Sequence, residues 1–580
     1  MADKYYTDER NAQIILALLK AYDIRKIVIS PGSTNLAIVG SVQNDPYFQL
    51  WSAVDERHAA YLACGIADES GEPEVISCTG ATAARNYMPG MTEAFYRRLP
   101  ILCLTSTQEI SRLGNGYTEM TDRTHPPSDV AKLSVRLPPV FNDHEASECE
   151  RIATRALMEL FGADRGPVHI CLETIYKGTF GTQSLPSVSK ISRIYPWTQD
   201  WPGLDSHERI ALLVGSGVRF ADDEIVLLEQ FATKYNVAVL CDPTSQYHGR
   251  MAVYSHAVCS QPLYNSAPGG LRPDLVIYVG GLCGDYETRW FLQAHFPRVW
   301  RVTADGSASA PFGKTENVFV MAEKAFFAHY VERAAVSDDS FALCWRQKCD
   351  ELRSRYPNVG FSNMWMAQAL SNRIPSGACV HLGILNSLTS WSYVPVRGDV
   401  EYRSNVGGFG IDGCASTAIG ASIANPDRLH FLVIGDLAFF YDLNAIGNRH
   451  VGKNLRILLV NNGAGATFNM YFHLSPRTFG EQTNDFTAAA GHFGRKSANL
   501  VKHFSEDLGF EYLSASGKEE FDEAIPTFVA KDRDRPVLLE CFVDMADETA
   551  ARAAFDRIEI VPPTLKSTVK AFVRKNILQR

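Results

Sequence analysis

Along the first third of the chain, apolar positions alternate between two periods. Residues 7–22 (TDERNAQIILALLKAY) carry helix-spaced apolar positions behind Thr7 with acids in the first turn, which predicts a helix capped by Thr7. IRKIVISPGS reads as a buried strand running into a Pro-Gly turn. FQLWSAV is strand-like, DERHAAYLACGIADESG predicts a helix, EVISCTG a strand, TAARNYMPGMTEAFYRR one helix and PILCLTST a strand. Short apolar strands alternating with helices are the pattern of a parallel sheet covered on both faces.

The pattern recurs twice. After a Pro- and Ser-bearing stretch from Gln183 to Asp205 that reads as a linker, RIALLVGSGV, NVAVLCDPTSQ, DLVIYVGG and VWRVTADG form a second set of strands. From near Asp338, ACVHLGI, LHFLVIGD, LRILLVNN and PVLLECFV form a third. The expected fold class is α/β: three doubly wound parallel-sheet domains over residues 1–190, 205–335 and 340–580. Gly215-Ser216-Gly217 follows a strand as a nucleotide-binding turn would, but G-x-G-x-x-G is not completed, which favours a structural turn. The tail LKSTVKAFVRKNILQR holds five basic residues and no acid, and is expected to form a helix docked on its own domain.

Composition narrows the partners. With 580 residues, 46% hydrophobic and 21% charged, the chain is of ordinary globular make-up. Its net charge of −9 speaks against nucleic acid. No apolar run reaches the ~18–20 residues of a membrane span, and MADKYYTDERNAQ is no signal sequence. The expectation is a cytoplasmic protein with no membrane partner. Thirteen cysteines without a C-x-x-C pair read as buried thiols, not as a disulfide framework or a clustered zinc site.

Candidate chemistry concentrates in the third block. LHFLVIGD ends at Gly435-Asp436; an amphipathic helix is expected from Tyr441 to about Val451, and LRILLV then ends at Asn461-Asn462. The carboxyl ends of parallel strands are where open α/β sheets bind ligands. A carboxylate, an amide oxygen and a nearby backbone carbonyl make a hard oxygen set suited to Mg²⁺ or Ca²⁺, which completes its shell with phosphate oxygens. A glycine before the following helix permits close backbone approach, and the helix start favours the phosphates. An acid capping a helix beside an unrelated Asn turn is the plain alternative. In the first block, Glu56 opens a helix directly after a strand; taken alone, it is an ordinary first-turn acid.

The G-D-x through N-N layout, with Leu437 where Gly is common, resembles the diphosphate motif of thiamine-diphosphate enzymes. The glycine-rich segment SNVGGFGIDGCASTAIGAS (404–422) is similar to the stretch that grips the aminopyrimidine in that family. SPGS (30–33), DER (55–57), CTGATAARN (78–86), LNSL (385–388), GIDG (410–413), STAIG (416–420), GDLAFFYDLNAI (435–446) and VNN (460–462) resemble the SEPHCHC synthases. These menaquinone-pathway carboligases belong to the pyruvate decarboxylase/acetolactate synthase superfamily, and the likeness spans nearly the whole chain. It implies pyrimidine-binding, central and diphosphate-binding domains. The implied cofactor is thiamine diphosphate, with Mg²⁺ (or Ca²⁺ or Mn²⁺) on Asp436, Asn462 and the carbonyl of Ala464. Gly410, Ile411, Gly435, Asp436, Leu437, Ala438, Asn462 and Phe468 would surround the cofactor, and Ile411 would hold its bend unless it serves only core packing. Glu56 would be the catalytic acid, hydrogen-bonded to the aminopyrimidine of a cofactor held by a neighbouring subunit, so that a homodimer or homotetramer is expected. FAD, which the acetolactate-synthase central domain binds, is not expected.

Departures from that family bear on the substrates. The SEPHCHC synthases join 2-oxoglutarate to isochorismate and have arginines where this chain has Thr34, Gln108, Val406 and, near the LNSL turn, Trp391; Glu119 stands where they have Gln. Arginine is suited to bidentate carboxylate capture. Their loss implies retained cofactor chemistry on changed, less charged substrates, unless Arg112, Arg289 or Arg403 compensates. The resulting expectation is decarboxylation of a 2-oxo acid with carboligation to a carbonyl or alkene acceptor, with Ser33, Asn86, Gln108, Glu119, Thr467, Tyr471 and His473 near the substrates. The alternatives are a simple 2-oxo acid decarboxylase and a catalytically silent, cofactor-binding scaffold.

Overall fold

The computed structural model describes residues 5–123, 125–204, 209–333, 340–493 and 496–559. The chain forms two compact units: one of residues 1–194 with 316–318, the other of residues 195–315 with 319–580. In the first unit lie β1 (Lys26–Ile29), β2 (Gln49–Ser52), β3 (Glu74–Thr79), β4 (Ile101–Thr107), β5 (Leu133–Leu137) and β6 (Val168–Glu173), ordered β2-β1-β3-β4-β6-β5. All pairings in this sheet are parallel. Every residue of β4 and β6 is buried, as continuous apolar runs require at the centre of a two-sided sheet, whereas β2 is an exposed edge.

Three local expectations shift here. The first helix runs Arg10–Ala21 behind Glu9, not Thr7. Thr7 is buried and its hydroxyl accepts from the Glu9 amide (3.3 Å), so it shapes the turn before the helix instead of capping it. The expected helix through TAARNYMPGMTEAFYRR is two, Ala83–Asn86 and Met88–Arg97, because Pro89 brings no amide to continue the first across Tyr87. The segment expected as a linker contains a short strand, β7 (Ser192–Ile194).

The second unit holds two sheets. The central one carries β8 (Ile210–Val214), β9 (Ala238–Cys241), β10 (Ala252–Tyr254), β11 (Leu275–Val279) and β12 (Arg298–Val302) in the order β10-β9-β8-β11-β12; β13 (Lys314–Phe319) follows in the chain, its residues 316–318 belonging to the first unit. The turn at Gly215 is structural: a Cβ there would lie 2.1 Å from the Gly281 carbonyl oxygen, so two strand-end turns press backbone to backbone. The third sheet carries β14 (Cys379–Leu382), β15 (Glu401–Ser404), β16 (His430–Gly435), β17 (Leu455–Asn461), β18 (Glu511–Ala515) and β19 (Val537–Phe542), ordered β15-β14-β16-β17-β19-β18 and parallel throughout. Its two faces bury separate apolar clusters, one around Val380, Val433 and Leu458, the other around Leu432, Ile434 and Ile457.

The helix after β16 starts at Asp436 itself and ends at Tyr441, with a 3₁₀ turn over Leu443–Gly447, so the amphipathic helix expected from Tyr441 is displaced. Asp442 stops it by turning its carboxylate to the amide and hydroxyl of Ser416. All thirteen cysteines are free thiols, and all but Cys283 and Cys344 are fully buried. Among the described residues no helix is long and apolar enough to cross a membrane. The basic tail expected as a docked helix lies outside the described residues.

Candidate active site

In the first unit, the ends of β3 and β4 open onto a cavity of about 380 Å³. Glu56, Ser33, Gln108 and Glu119 all line it, as does Thr34. Glu56 is the first residue of the helix Glu56–Ser70, whose cap is Asp55; the Asp55 side chain accepts from the Arg57 amide. Asn86 donates to Glu56 Oε2 at 3.1 Å, a contact that the break before Met88 makes possible. Thr34 is buried and spends its hydroxyl on the Ser106 carbonyl (2.9 Å), so it closes the wall more than it offers a donor. Ala81 and Glu119, both cavity-lining, have φ of 57° and 66°, and such non-glycine strain gathers at binding sites. Arg112 reaches the wall by donating to Gln108 Oε1. Sequence reading passed over the buried Arg123, which lies against Gly80 and donates to the hydroxyls of Thr107 and Thr121.

In the second unit, the ends of β16 and β17 open onto a narrower cleft of about 90 Å³ lined by Ile411, Gly435, Asp436, Leu437, Ala438, Asn462, Ala464, Thr467 and Phe468. Asp436 and Asn462 are each only 4% exposed. Asp436 Oδ2 accepts from the Gly463 amide (2.8 Å) and Asn462 Oδ1 faces the Ala464 amide (3.3 Å), so one turn aligns both oxygen donors. A Cβ on Gly435 would meet nothing within 4 Å, leaving its backbone open to a ligand, while one on Gly465 would strike Phe468 at 2.8 Å. Asn363 Oδ1, on the cleft wall, is buried without a hydrogen-bond partner. Buried carboxylate and amide oxygens, an open glycine and an unsatisfied acceptor fit a hard divalent cation and the polar groups of a cofactor. Gly410 does not line the cleft; its backbone packs against Asp412.

Leu385 links this cleft to a second chamber. Its backbone, at φ 63° and ψ −116°, turns the chain from Gly383 into the helix Asn386–Ser392. Asn386 is anchored by Glu548, whose two oxygens accept from Asn386 Nδ2 (2.7 Å) and the Asn363 amide (3.0 Å). Burial pushes the Glu548 carboxyl above its ordinary range. The chamber, about 180 Å³, shares Leu385, Asn386 and Thr467 with the cleft and has apolar walls at Trp290, Met470 and Phe472. His473 lines it too, though its Nδ1 is taken by the Ser475 amide. Tyr471 is directed elsewhere: its hydroxyl donates to Asp556, and it lines neither the cleft nor the chamber.

Two polar groups of the chamber left no signal in the sequence. His256 Nδ1 bonds Asp285 Oδ1 at 2.7 Å. Burial works against the Asp285 charge, but His256, Thr288 and the Glu287 amide outweigh it and hold the carboxyl below its ordinary range. Arg552 is clamped between Glu287 (2.6 Å) and Asp556 (2.7 Å), two carboxylates to one guanidinium. Of the arginines considered as compensators, Arg289 lies over the Tyr286 ring and Arg403 is held by Glu401 at 2.6 Å. Val406 and Trp391 are buried in the apolar core of the third sheet.

Two family models match the chain: "Thiamine pyrophosphate enzyme, N-terminal TPP binding domain" over residues 10–126, and its C-terminal counterpart over residues 386–541. The first match contains Glu56 and all of its cavity lining but Tyr176, and the second contains Asp436, Asn462 and most of the cleft lining. The chain belongs to the thiamine pyrophosphate enzymes. Among its curated relatives is the 2-succinyl-5-enolpyruvyl-6-hydroxy-3-cyclohexene-1-carboxylate synthase (SEPHCHC synthase) of Bacteroides thetaiotaomicron, 30% identical over 93% of this chain and 96% of the relative. The synthase of Phocaeicola vulgatus is 29% identical over 94% and 97%, and that of Desulfotalea psychrophila 28% identical over 90% and 96%.

Proposed function

We propose that this thiamine-pyrophosphate-dependent enzyme decarboxylates a 2-oxo acid and joins the remaining acyl unit to a carbonyl or alkene acceptor, both less charged than the substrates of SEPHCHC synthase. Thiamine diphosphate, when bound, supplies the carbon nucleophile and electron sink for loss of CO₂. Asp436, Asn462 and the Ala464 carbonyl hold the metal that carries its diphosphate, and Ile411 and Phe468 close the walls. Glu56, oriented by Asn86, exchanges a hydrogen bond with the aminopyrimidine of a cofactor bound by a second copy of the chain, so the working unit is a homodimer or a dimer of dimers. The apolar chamber excludes water and so favours loss of a charged carboxylate.

The observation that carries the change of substrate is Arg552. A guanidinium already shared by Glu287 and Asp556 has no charge to spare for a substrate carboxylate. The test is a panel of pyruvate, 2-oxobutyrate, 2-oxoglutarate and phosphonopyruvate assayed for CO₂, with and without candidate acceptors. Best turnover of a monocarboxylic donor, rising with acceptor, supports the reading. Best turnover with 2-oxoglutarate plus isochorismate overturns the substrate argument, aldehyde release alone overturns carboligation, and no thermal stabilisation by thiamine diphosphate with Mg²⁺ overturns the whole.

A further inference from the structure

Cys379 and His381 stand two residues apart on β14 and so share one face of the third sheet, and the parallel register sets His430 of β16 directly beside Cys379. All three side chains are buried, and their ligand atoms lie within 4.8 Å of one another. His381 Nε2 is 3.5 Å from Cys379 Sγ and 3.2 Å from His430 Nδ1. Zn–S and Zn–N bonds of about 2.3 and 2.0–2.1 Å at a tetrahedral angle give edges of about 3.6 Å for S···N and about 3.3 Å for N···N. The two measured edges match.

We propose that Cys379, His381 and His430 form a zinc site at the amino-terminal ends of β14 and β16, with water as fourth ligand. Two imidazoles and a thiolate are borderline-to-soft ligands that favour Zn²⁺ over the Mg²⁺ suited to the oxygen donors of the cleft. Arg219, Arg403 and Arg428 all bind Glu401, which the register sets beside Cys379 on the opposite side from His430. These three cations, only one of them offset by Glu401, favour the thiolate form of Cys379 that the metal requires. On binding, the Sγ–H bond breaks, the proton leaves to solvent and an S–Zn bond forms, with no change of oxidation state. The ion ties the starts of two neighbouring strands, a structural role away from the strand ends that form the cleft.

The test uses the full-length protein, stripped with a chelator and titrated with Zn²⁺ alone and with Co²⁺ as a spectroscopic substitute. Expected are one equivalent of Zn²⁺ per chain, still bound when the cleft ligand is removed by Asp436→Ala, and a thiolate-to-Co²⁺ charge-transfer band. Cys379→Ser should abolish the band, and His430→Gln should weaken Zn²⁺ binding at least about 100-fold, with activity supported by thiamine diphosphate and Mg²⁺ retained. Absence of the band from the wild-type protein overturns the proposal, and this readout needs no variant to fold. Unchanged Zn²⁺ affinity in folded Cys379→Ser and His430→Gln proteins overturns it equally, by placing the ion elsewhere.

Discussion

The cavity of the first unit and the cleft of the second place a carboxyl group in opposite surroundings. Glu56 sits half-exposed at the start of a helix with one amide donor at 3.1 Å, whereas Asp436 is 4% exposed and fixed by the turn that also aligns Asn462. A carboxyl that trades a hydrogen bond with a ring nitrogen needs access and a ready proton; one that grips a cation gains from exclusion of water, because the attraction grows as the local dielectric falls. The larger volume around Glu56, about 380 Å³ against about 90 Å³, and the deeper burial of Asp436 suit those demands.

Breaking the cleft should have the largest effect. Asp436→Ala is expected to weaken magnesium-dependent binding of thiamine diphosphate by more than about 100-fold in calorimetry, since loss of even an outer-shell partner costs 10–100-fold. Retained affinity would remove the metal role. Glu56→Gln should separate the two regions: CO₂ release falls by about 10²–10⁴ while cofactor affinity stays within about tenfold. Turnover near that of the parent protein would show that the cavity is not catalytic. Glu287→Gln in the chamber should leave Arg552 with one carboxylate and improve KM for 2-oxoglutarate relative to pyruvate about tenfold, read from paired kinetics.

The smallest effect concerns the frame of the first unit. Glu74 at the start of β3 is fully buried, neither carboxyl oxygen has a hydrogen-bond partner, and burial pushes its pKa to about 8. The counterpart in the second unit, Glu540, is also pushed up by burial but accepts from Asn461 and Tyr512. Because the folded pKa of Glu74 lies above its ordinary value, its contribution favours the fold at low pH. It is lost as pH rises from about 4.5, where the unfolded chain ionises, to about 8. Glu74→Gln should therefore flatten that slope and stabilise the protein by roughly 1–3 kcal/mol at pH 7, measured by denaturant unfolding at pH 5 and pH 8.

Central strands such as LHFLVIG and LRILLV were legible because burial on both faces writes a continuous apolar run. The fully buried β6 was missed because His169 and Glu173 break its run, and β5, β10, β13, β15 and β18 because they are short or only partly buried, with mixed residues such as EYRS in β15. Glu56, Asp436 and Asn462 stood out as candidates because each sits at a strand end or helix start with a local motif, and the fold places Glu56 on the cavity and the other two on the cleft. Partners of the Arg552 type could not, since Glu287 lies 265 residues away and only the packed fold brings them together. The Cys379–His381–His430 cluster hid for the same reason, its third member lying 49 residues beyond its second and one strand over. Tyr471 was misplaced because its neighbours in sequence do line the site, while its own hydroxyl is claimed by Asp556.

Leu385 carries a consequence for anyone wishing to harden this protein against heat. A leucine held at φ 63° costs of order 1–3 kcal/mol, so Leu385→Gly offers an easy gain in melting temperature. Yet its side chain forms part of the wall of both the cleft and the chamber, and removing it would join the two into one looser volume. Durability and selectivity are thus set against each other at a single residue, and selection for thermal tolerance alone would be expected to erode the choice of substrate there first.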